Sequence, residues 1–248
     1  LIGTIYPIFL DVLSSQKISV GPPFYHKLII PFLIPFLLIM AIGPKLKWIK
    51  SNLENKIYLI FLLIISILSS YLIVKNFDYN FLINTILISS AFYLFFATLR
   101  DFFTNKLKNI SQNISHFGFS LLILSILFNN LFSTEIITNL KVGETFENSK
   151  TKIVFENINQ KVENNYKSIV GNFSIKSSNE KMENFFPELR IYNQPNIVTS
   201  EADIKTTLIS DKFIVINLVQ NQDYFNVRYQ VKPFMLWIWM SVLIICFG

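Results

Sequence analysis

The residue best suited to chemistry in this sequence is a histidine at the start of a long apolar segment. His116 lies in SQNISHFGFSLLILSILF, residues 111–128, where no other side chain is ionisable. The second histidine of the sequence is His26, in VGPPFYHKL, and the single cysteine is Cys246. One cysteine supports neither a disulfide framework nor a CxxC pair, so we do not expect thiol redox chemistry.

Three roles for His116 are compatible with its position. An interfacial histidine would reach lipid headgroups or cap a neighbouring helix. A proton relay would need carboxylates at depth, whereas Asp101 and Glu54 are expected in loops. An axial ligand to haem is the third, because neutral imidazole commonly ligates haem iron and a helical bundle offers a dry slot. Gly118 and Ser120 favour it modestly, since small residues let a flat macrocycle or another helix approach closely.

The elements that position His116 are membrane helices. Hydrophobic residues make up 52% of the 248 and charged residues only 15%, against roughly a quarter charged in soluble domains. Residues 1–132 are predicted to form a transmembrane bundle, and 233–248 a truncated final helix. The sequence lacks an initial Met and stops inside an apolar run, so we expect it to be truncated at both ends. The bundle has the tail of one span at 1–13 and full spans at 28–42 (extendable through Pro23), 57–74, 81–99 and 114–132.

Basic residues set the expected orientation of these spans. Lysine and arginine concentrate in segments 43–56 and 100–113, which are therefore predicted to be cytoplasmic. That alternation places residues 133–232 on the outer side, and puts His26 across the membrane from His116. The two histidines are then not expected to bind one iron, and a second ligand would come from polypeptide outside this sequence.

Residues 133–232 are predicted to form an antiparallel β-rich domain. Its strand-like runs are KIVFENI, SIVGNFSIK, ELRIY, IVTSEADIK, KFIVINLV and YFNVRYQV. The domain contains twelve basic and twelve acidic residues, so the net charge of +6 arises in the membrane segments and gives no reason to expect nucleic acid as a partner. The predicted fold class is a mainly α-helical polytopic membrane protein with an inserted extracytoplasmic β-rich domain before the last span.

Seven blocks, in order, resemble a known family. They are GTIYP (3–7), VGPPF (20–24), IGPKLKW (42–48), SHFGFSLL (115–122), PELRIY (187–192), TSEADI (199–204) and VRYQVKPFMLWIW (227–239). Together they resemble the C-terminal half of the haem lyases of cytochrome c biogenesis, the CcmF family with its nitrite-reductase relative NrfE.

The resemblance implies a membrane protein that helps attach haem covalently to apocytochrome c. SHFG resembles the block of a transmembrane histidine that ligates a b-type haem, which implies His116 as an axial ligand to haem iron. Implied partners are a haem chaperone, apocytochrome c, the partner that reduces apocytochrome thiols, and the lipid bilayer. The implied home is a bacterial inner membrane with the large domain periplasmic, or a mitochondrial inner membrane.

Some features of the family are absent from this sequence or are not assigned to haem binding. The Trp-rich haem-handling loop of the family and its flanking histidines would precede residue 1, so we expect this chain alone to be inactive as a lyase. His26 stands where the family usually has asparagine or another polar residue, and it is not assigned to haem. Arg228 and Lys232 are interpreted as interface anchors, or as contacts to haem propionates or the chaperone.

Two rival functions stay open at this level. A non-enzymatic transporter fragment could share this membrane composition. A structural subunit of a split haem lyase complex would carry the same blocks without catalysing the reaction.

Overall fold

The chain divides into a helical unit and a β-sandwich unit. The computed structural model describes residues 2–14, 21–46, 56–77, 80–104, 110–177, 181–219 and 223–248. One unit comprises Leu1–Leu124 with Met240–Gly248, and the other Ser125–Trp239. The helices are α1 (Ile2–Ser14), α2 (Pro22–Ile42), α3 (Lys56–Val74), α4 (Phe81–Thr104), α5 (Ile110–Phe132) and α6 (Met235–Phe247), with a short 3-10 helix at Gly43–Lys45 after α2.

Four of the described helices are long and apolar enough to cross a membrane. These segments are Phe24–Lys45, Ile57–Val74, Phe81–Thr104 and Ile110–Phe132, while Met235–Phe247 is a shorter apolar helix. The described part of the chain is therefore a multi-pass membrane protein. Most of the lysine-rich segment 43–56 lies outside the described residues, as does Glu54.

Helix α4 is the most buried of the four and packs against both α2 and α3. Its buried positions recur with helical spacing through Ala91, Leu94, Thr98 and Asp101. The expectation that Asp101 lies in a loop is wrong, because α4 continues to Thr104 instead of ending near residue 99. The same buried face continues past the apolar run, and the carboxylate lies on it.

Residues 134–233 form two antiparallel sheets. The strands are β1 (Thr134–Leu140), β2 (Thr145–Glu147), β3 (Thr151–Val162), β4 (Tyr166–Ser177), β5 (Glu183–Phe185), β6 (Glu188–Tyr192), β7 (Val198–Glu201), β8 (Asp203–Thr206), β9 (Ser210–Leu218) and β10 (Phe225–Pro233). One sheet has the order β1-β10-β9-β8, and the other β2-β3-β4-β6-β7 with β5 paired to β4.

The core of the sandwich consists of alternate residues from both sheets, as expected for strands with one buried face. Phe155 and Phe173 stack at its centre with ring centroids 4.2 Å apart. Ile214, Ile216 and Val227 from the other sheet are fully buried in the same cluster. The predicted fold class, membrane helices with a β-rich domain before the last helix, is confirmed.

The run IVTSEADIK was predicted as one strand, and this is wrong. It is split into β7 and β8, which lie in different sheets and are separated by the exposed Ala202. Asp203 accepts a hydrogen bond from the Phe186 backbone N–H at 2.7 Å, which fixes the chain just after this crossing.

Candidate functional site

His116 is half-buried near the start of α5. It lies six residues after Ile110, about 9 Å along the helix axis. Within the described part of the chain no hydrogen bond engages its imidazole. Its ring nitrogens are therefore available to a ligand.

The neighbours of His116 along α5 define the direction in which it points. Phe117 packs on α4, with its ring centroid 5.3 Å from that of Phe95. Phe119 makes an edge contact with Phe36 of α2 at 5.9 Å. Because successive residues of a helix are rotated by about 100°, the direction of His116 falls between these two contacts. His116 therefore faces the gap between α2 and α4.

The two small residues near His116 have different surroundings. A Cβ atom on Gly118 would lie 2.8 Å from Ile245 Cγ1 and 3.0 Å from the Ile245 backbone N. Helix α6 therefore approaches α5 closely at this point. Gly118 is two residues from His116 and thus on nearly the opposite side of α5. Gly118 was predicted to admit either a flat macrocycle or another helix. In the structure it contacts a helix, α6. Ser120 is four residues from His116, on the same face, and its buried hydroxyl donates to the Phe117 carbonyl at 2.8 Å.

An ion pair that was not predicted from the sequence joins the short 3-10 helix after α2 to the last turn of α4. The Lys45 Nζ and Asp101 Oδ2 atoms are 3.5 Å apart, and both side chains are largely buried. The Asp101 carboxylate also interacts electrostatically with the His116 imidazole. The helical spacing of Asp101 from Leu94 and Thr98 could have signalled this position. Its partner could not be inferred, since it depends on how α2 packs on α4.

The imidazole of His116 is a candidate ligand for a haem iron. Imidazole is a common axial ligand, and the aromatic side chains of Phe36, Phe95 and Phe117 line the adjoining helix contacts. Among the described residues no group of three or more His, Cys, Asp or Glu side chains could hold a metal ion. A haem would need only one ligand from this chain.

His26 lies far from His116 along the helices. It is exposed, ten residues before Phe36 on α2 and thus about 15 Å away along the axis, whereas His116 is about 4.5 Å from Phe119. The contact between Phe36 and Phe119 sets the two helices level at that point. The axial offset is then at least about 10 Å, too large for both rings to ligate one iron.

Both cations proposed as propionate contacts lie in the sandwich unit and have other neighbours there. Arg228 Nε and Gln230 Nε2 both donate to Glu135 Oε1 across the β1–β10 pairing. Lys232 Nζ lies 5.7 Å from the centre of the Phe213 ring. The Arg228 guanidinium has further N–H donors besides Nε, so an anionic ligand could bind beside Glu135.

The charged residues of PELRIY and TSEADI have structural partners. The Arg190 guanidinium donates to Glu188 at 3.1 Å and lies 4.0 Å from Glu201 on β7. The hydrogen bond to Glu188 is the largest cause of a raised pKa of Arg190. The group ties β6 to β7.

Comparisons with known proteins point to one family. Residues 131–233 match the family model described as the CcmF C-terminal beta-sandwich. The chain aligns over its whole length with the cytochrome c-type biogenesis protein CcmF of Pseudomonas fluorescens at 26% identity and with that of Escherichia coli K12 at 22%. It spans 40% of the length of each of these relatives.

A solved structure shares the fold. The structure named Cytochrome c Heme Lyase CcmF matches 98% of this chain with a TM-score of 0.75 and 18% identity, and the match covers 41% of that protein. The resemblance predicted from the sequence is confirmed: the chain is similar to the C-terminal portion of CcmF proteins.

Proposed function

We propose that this chain, which is similar over its whole length to the C-terminal portion of CcmF proteins, holds one side of a b-type haem between membrane helices and supports covalent haem attachment to apocytochrome c. The observation that carries the proposal is His116, an imidazole without a hydrogen-bond partner in the described residues, facing the gap between α2 and α4. The lyase reaction itself is proposed for the larger assembly, because the chain spans 40% of its relatives' length.

In this proposal a ring nitrogen of His116 would coordinate the haem iron. A haem ligated by two imidazoles supplies a one-electron change without a change of coordination, which suits electron delivery. His116 holds and orients the group and takes no part as an acid or base in thioether formation. The second ligand is contributed by polypeptide other than this chain.

The residues around His116 would keep the site dry and fixed. Phe117 and Phe119 secure α5 to α4 and α2 on either side of the imidazole, so water has little access from those directions. The Lys45–Asp101 pair joins the ends of α2 and α4. Because both of its charges are largely buried, loss of one partner would leave the other uncompensated, at a cost of about 3–5 kcal/mol.

The sandwich is proposed to lie on the periplasmic side of a bacterial inner membrane. There it would dock the haem chaperone, apocytochrome c or the partner that reduces apocytochrome thiols. Arg228 and Lys232 would serve as contacts for haem propionates or for one of these proteins, since carboxylates and cations form strong charge-assisted hydrogen bonds. Arg228 would contribute donors other than Nε, which is hydrogen-bonded to Glu135.

The experiment uses a chimera in which this chain replaces the aligned C-terminal part of the Escherichia coli relative, so that ligands from the preceding polypeptide are present. The haem content of the purified protein is measured by its reduced absorption spectrum in the parent chimera, His116→Ala and His26→Ala. We expect haem in the parent and in His26→Ala and its loss in His116→Ala. A parent without haem, or retention of haem in His116→Ala, would contradict the proposal and leave a structural subunit as the better description.

A further inference from the structure

The turn between β8 and β9 carries apolar residues at its tip. Leu208 and Ile209 are the two tip residues, and Thr207 closes the turn by donating its backbone N–H to the Ser210 carbonyl at 3.0 Å. Glycine, asparagine and aspartate usually occupy such positions, because they tolerate the backbone angles of tight turns. Here Leu208 is 72% exposed and Ile209 is 70% exposed.

Both tip residues are hydrogen-bonded to the chain that enters α6. The Phe234 backbone N–H donates to the Ile209 carbonyl at 2.7 Å. The Trp237 indole N–H donates to the Leu208 carbonyl at 2.9 Å. The tip therefore lies level with the first turn of an apolar helix, next to the partly exposed side chain of Trp237.

The same segment contacts the last turns of α5. The Asn129 side-chain amide donates to the Pro233 carbonyl at 2.6 Å, and the Phe128 and Phe234 rings are 5.4 Å apart. A helix of 23 residues is about 35 Å long, slightly more than the hydrocarbon core of about 30 Å. Asn129 is three residues, or about 4.5 Å, from the end of that helix. With α5 spanning the hydrocarbon core, these contacts would put the turn near the boundary between hydrocarbon and lipid headgroups.

We propose that the β8–β9 turn is a lipid anchor, with Leu208 and Ile209 inserted into the bilayer interface beside the end of α5 and the start of α6. Residues 206–210, TTLIS, carry no charge, which suits contact with lipid. Exposed tryptophans are enriched at the same depth of a membrane. The anchor gives the sandwich a third attachment to the membrane besides the two helices, and it does not depend on haem binding.

The test is spin-label accessibility in lipid nanodiscs that contain only the purified chain and a phosphatidylethanolamine–phosphatidylglycerol mixture. In a Cys246→Ser background, single labels are placed by Leu208→Cys, Ile209→Cys and the control Leu218→Cys. Leu218 is 49% exposed at the other end of β9, about 26 Å from Ser210 along the strand. Collision with oxygen, which partitions into lipid, is compared with collision with a water-soluble nickel chelate.

We expect labels at 208 and 209 to collide several-fold less with the nickel chelate than the label at 218, while oxygen still reaches them. Equal nickel accessibility at the three sites would show that the turn lies in water and would overturn the proposal. Protection from both reagents at 208 and 209 would overturn it as well, because it would indicate cover by protein instead of lipid.

Discussion

Replacement of Gly118 by alanine tests the close approach of α6 to α5. The added Cβ would lie 2.8 Å from Ile245 Cγ1 and 3.0 Å from both the Ile245 backbone N and Ile244 Cγ2. At 2.8 Å the Ile245 side chain must shift, and the Ile245 backbone N at 3.0 Å, which cannot rotate away, must give by a few tenths of an ångström. We therefore expect α6 to be displaced from α5 in Gly118→Ala.

The size of the effect follows from two opposing terms. Overpacking a close contact costs about 1–3 kcal/mol. Exchange of glycine for alanine inside a helix returns about 1 kcal/mol through backbone conformational preference. The net destabilisation of Gly118→Ala is thus expected between about 0 and 2 kcal/mol.

The free energy of unfolding of Gly118→Ala and of the wild type is measured by titration with sodium dodecyl sulfate in mixed micelles. Exchange of glycine for alanine in an unobstructed helix interior would stabilise the protein by about 1 kcal/mol. With α6 packed on Gly118, no such gain is expected. A variant that is more stable than the wild type by about 1 kcal/mol would contradict the packing of α6 on Gly118.

Two further predictions concern hydrogen bonds. The buried Ser70 hydroxyl donates across helices to the Thr85 carbonyl at 2.7 Å, whereas the Ser66 hydroxyl donates to the Leu62 carbonyl within its own helix. In the same titration, Ser70→Ala should lower the free energy of unfolding by about 0.6 kcal/mol more than Ser66→Ala does. Equal losses of stability would refute the cross-helix hydrogen bond. The pKa of Glu135 in the folded protein is lowered, chiefly by the hydrogen bond from Gln230. The ionised carboxylate therefore stabilises the fold at pH values above its ordinary pKa of 4.5, and this stabilisation is lost as the pH falls through the pKa of the folded state. Urea unfolding between pH 3 and 6 should show that the wild type loses more stability on acidification than Glu135→Gln does, and parallel pH curves would contradict this.

Local sequence patterns predicted where helices and strands lie better than they predicted which elements pack or pair with one another. Long apolar runs indicated α2 to α5, because a bilayer requires helices of that length. Strand β5 is only three residues long, too short to show alternation. Strand β1 follows the end of α5 at Phe132 with only Ser133 between them. The end of the apolar run indicated this boundary at residue 132, but β1 was not among the predicted strands, because its pairing with β10 is long-range.

The site was predictable to the extent that it depends on one helix. The face of α5 on which His116 and Ser120 lie follows from helical periodicity alone. The neighbour of Gly118 could not be predicted, since a small residue admits a cofactor or a helix equally well and the choice depends on where α6 packs. The Lys45–Asp101 pair joins residues 56 positions apart and likewise follows from long-range packing.

The most direct test of the central claim, that the imidazole of His116 ligates haem iron, is chemical rescue of the missing side chain. In the chimera with the Escherichia coli relative, His116→Gly removes the ligand and leaves space for a free imidazole molecule. The reduced and oxidised absorption spectra are recorded with and without imidazole in solution. If His116 ligates the iron, His116→Gly should lose the spectrum of a six-coordinate haem and regain it when imidazole is added. An unchanged spectrum in His116→Gly, or no recovery with imidazole, would contradict it.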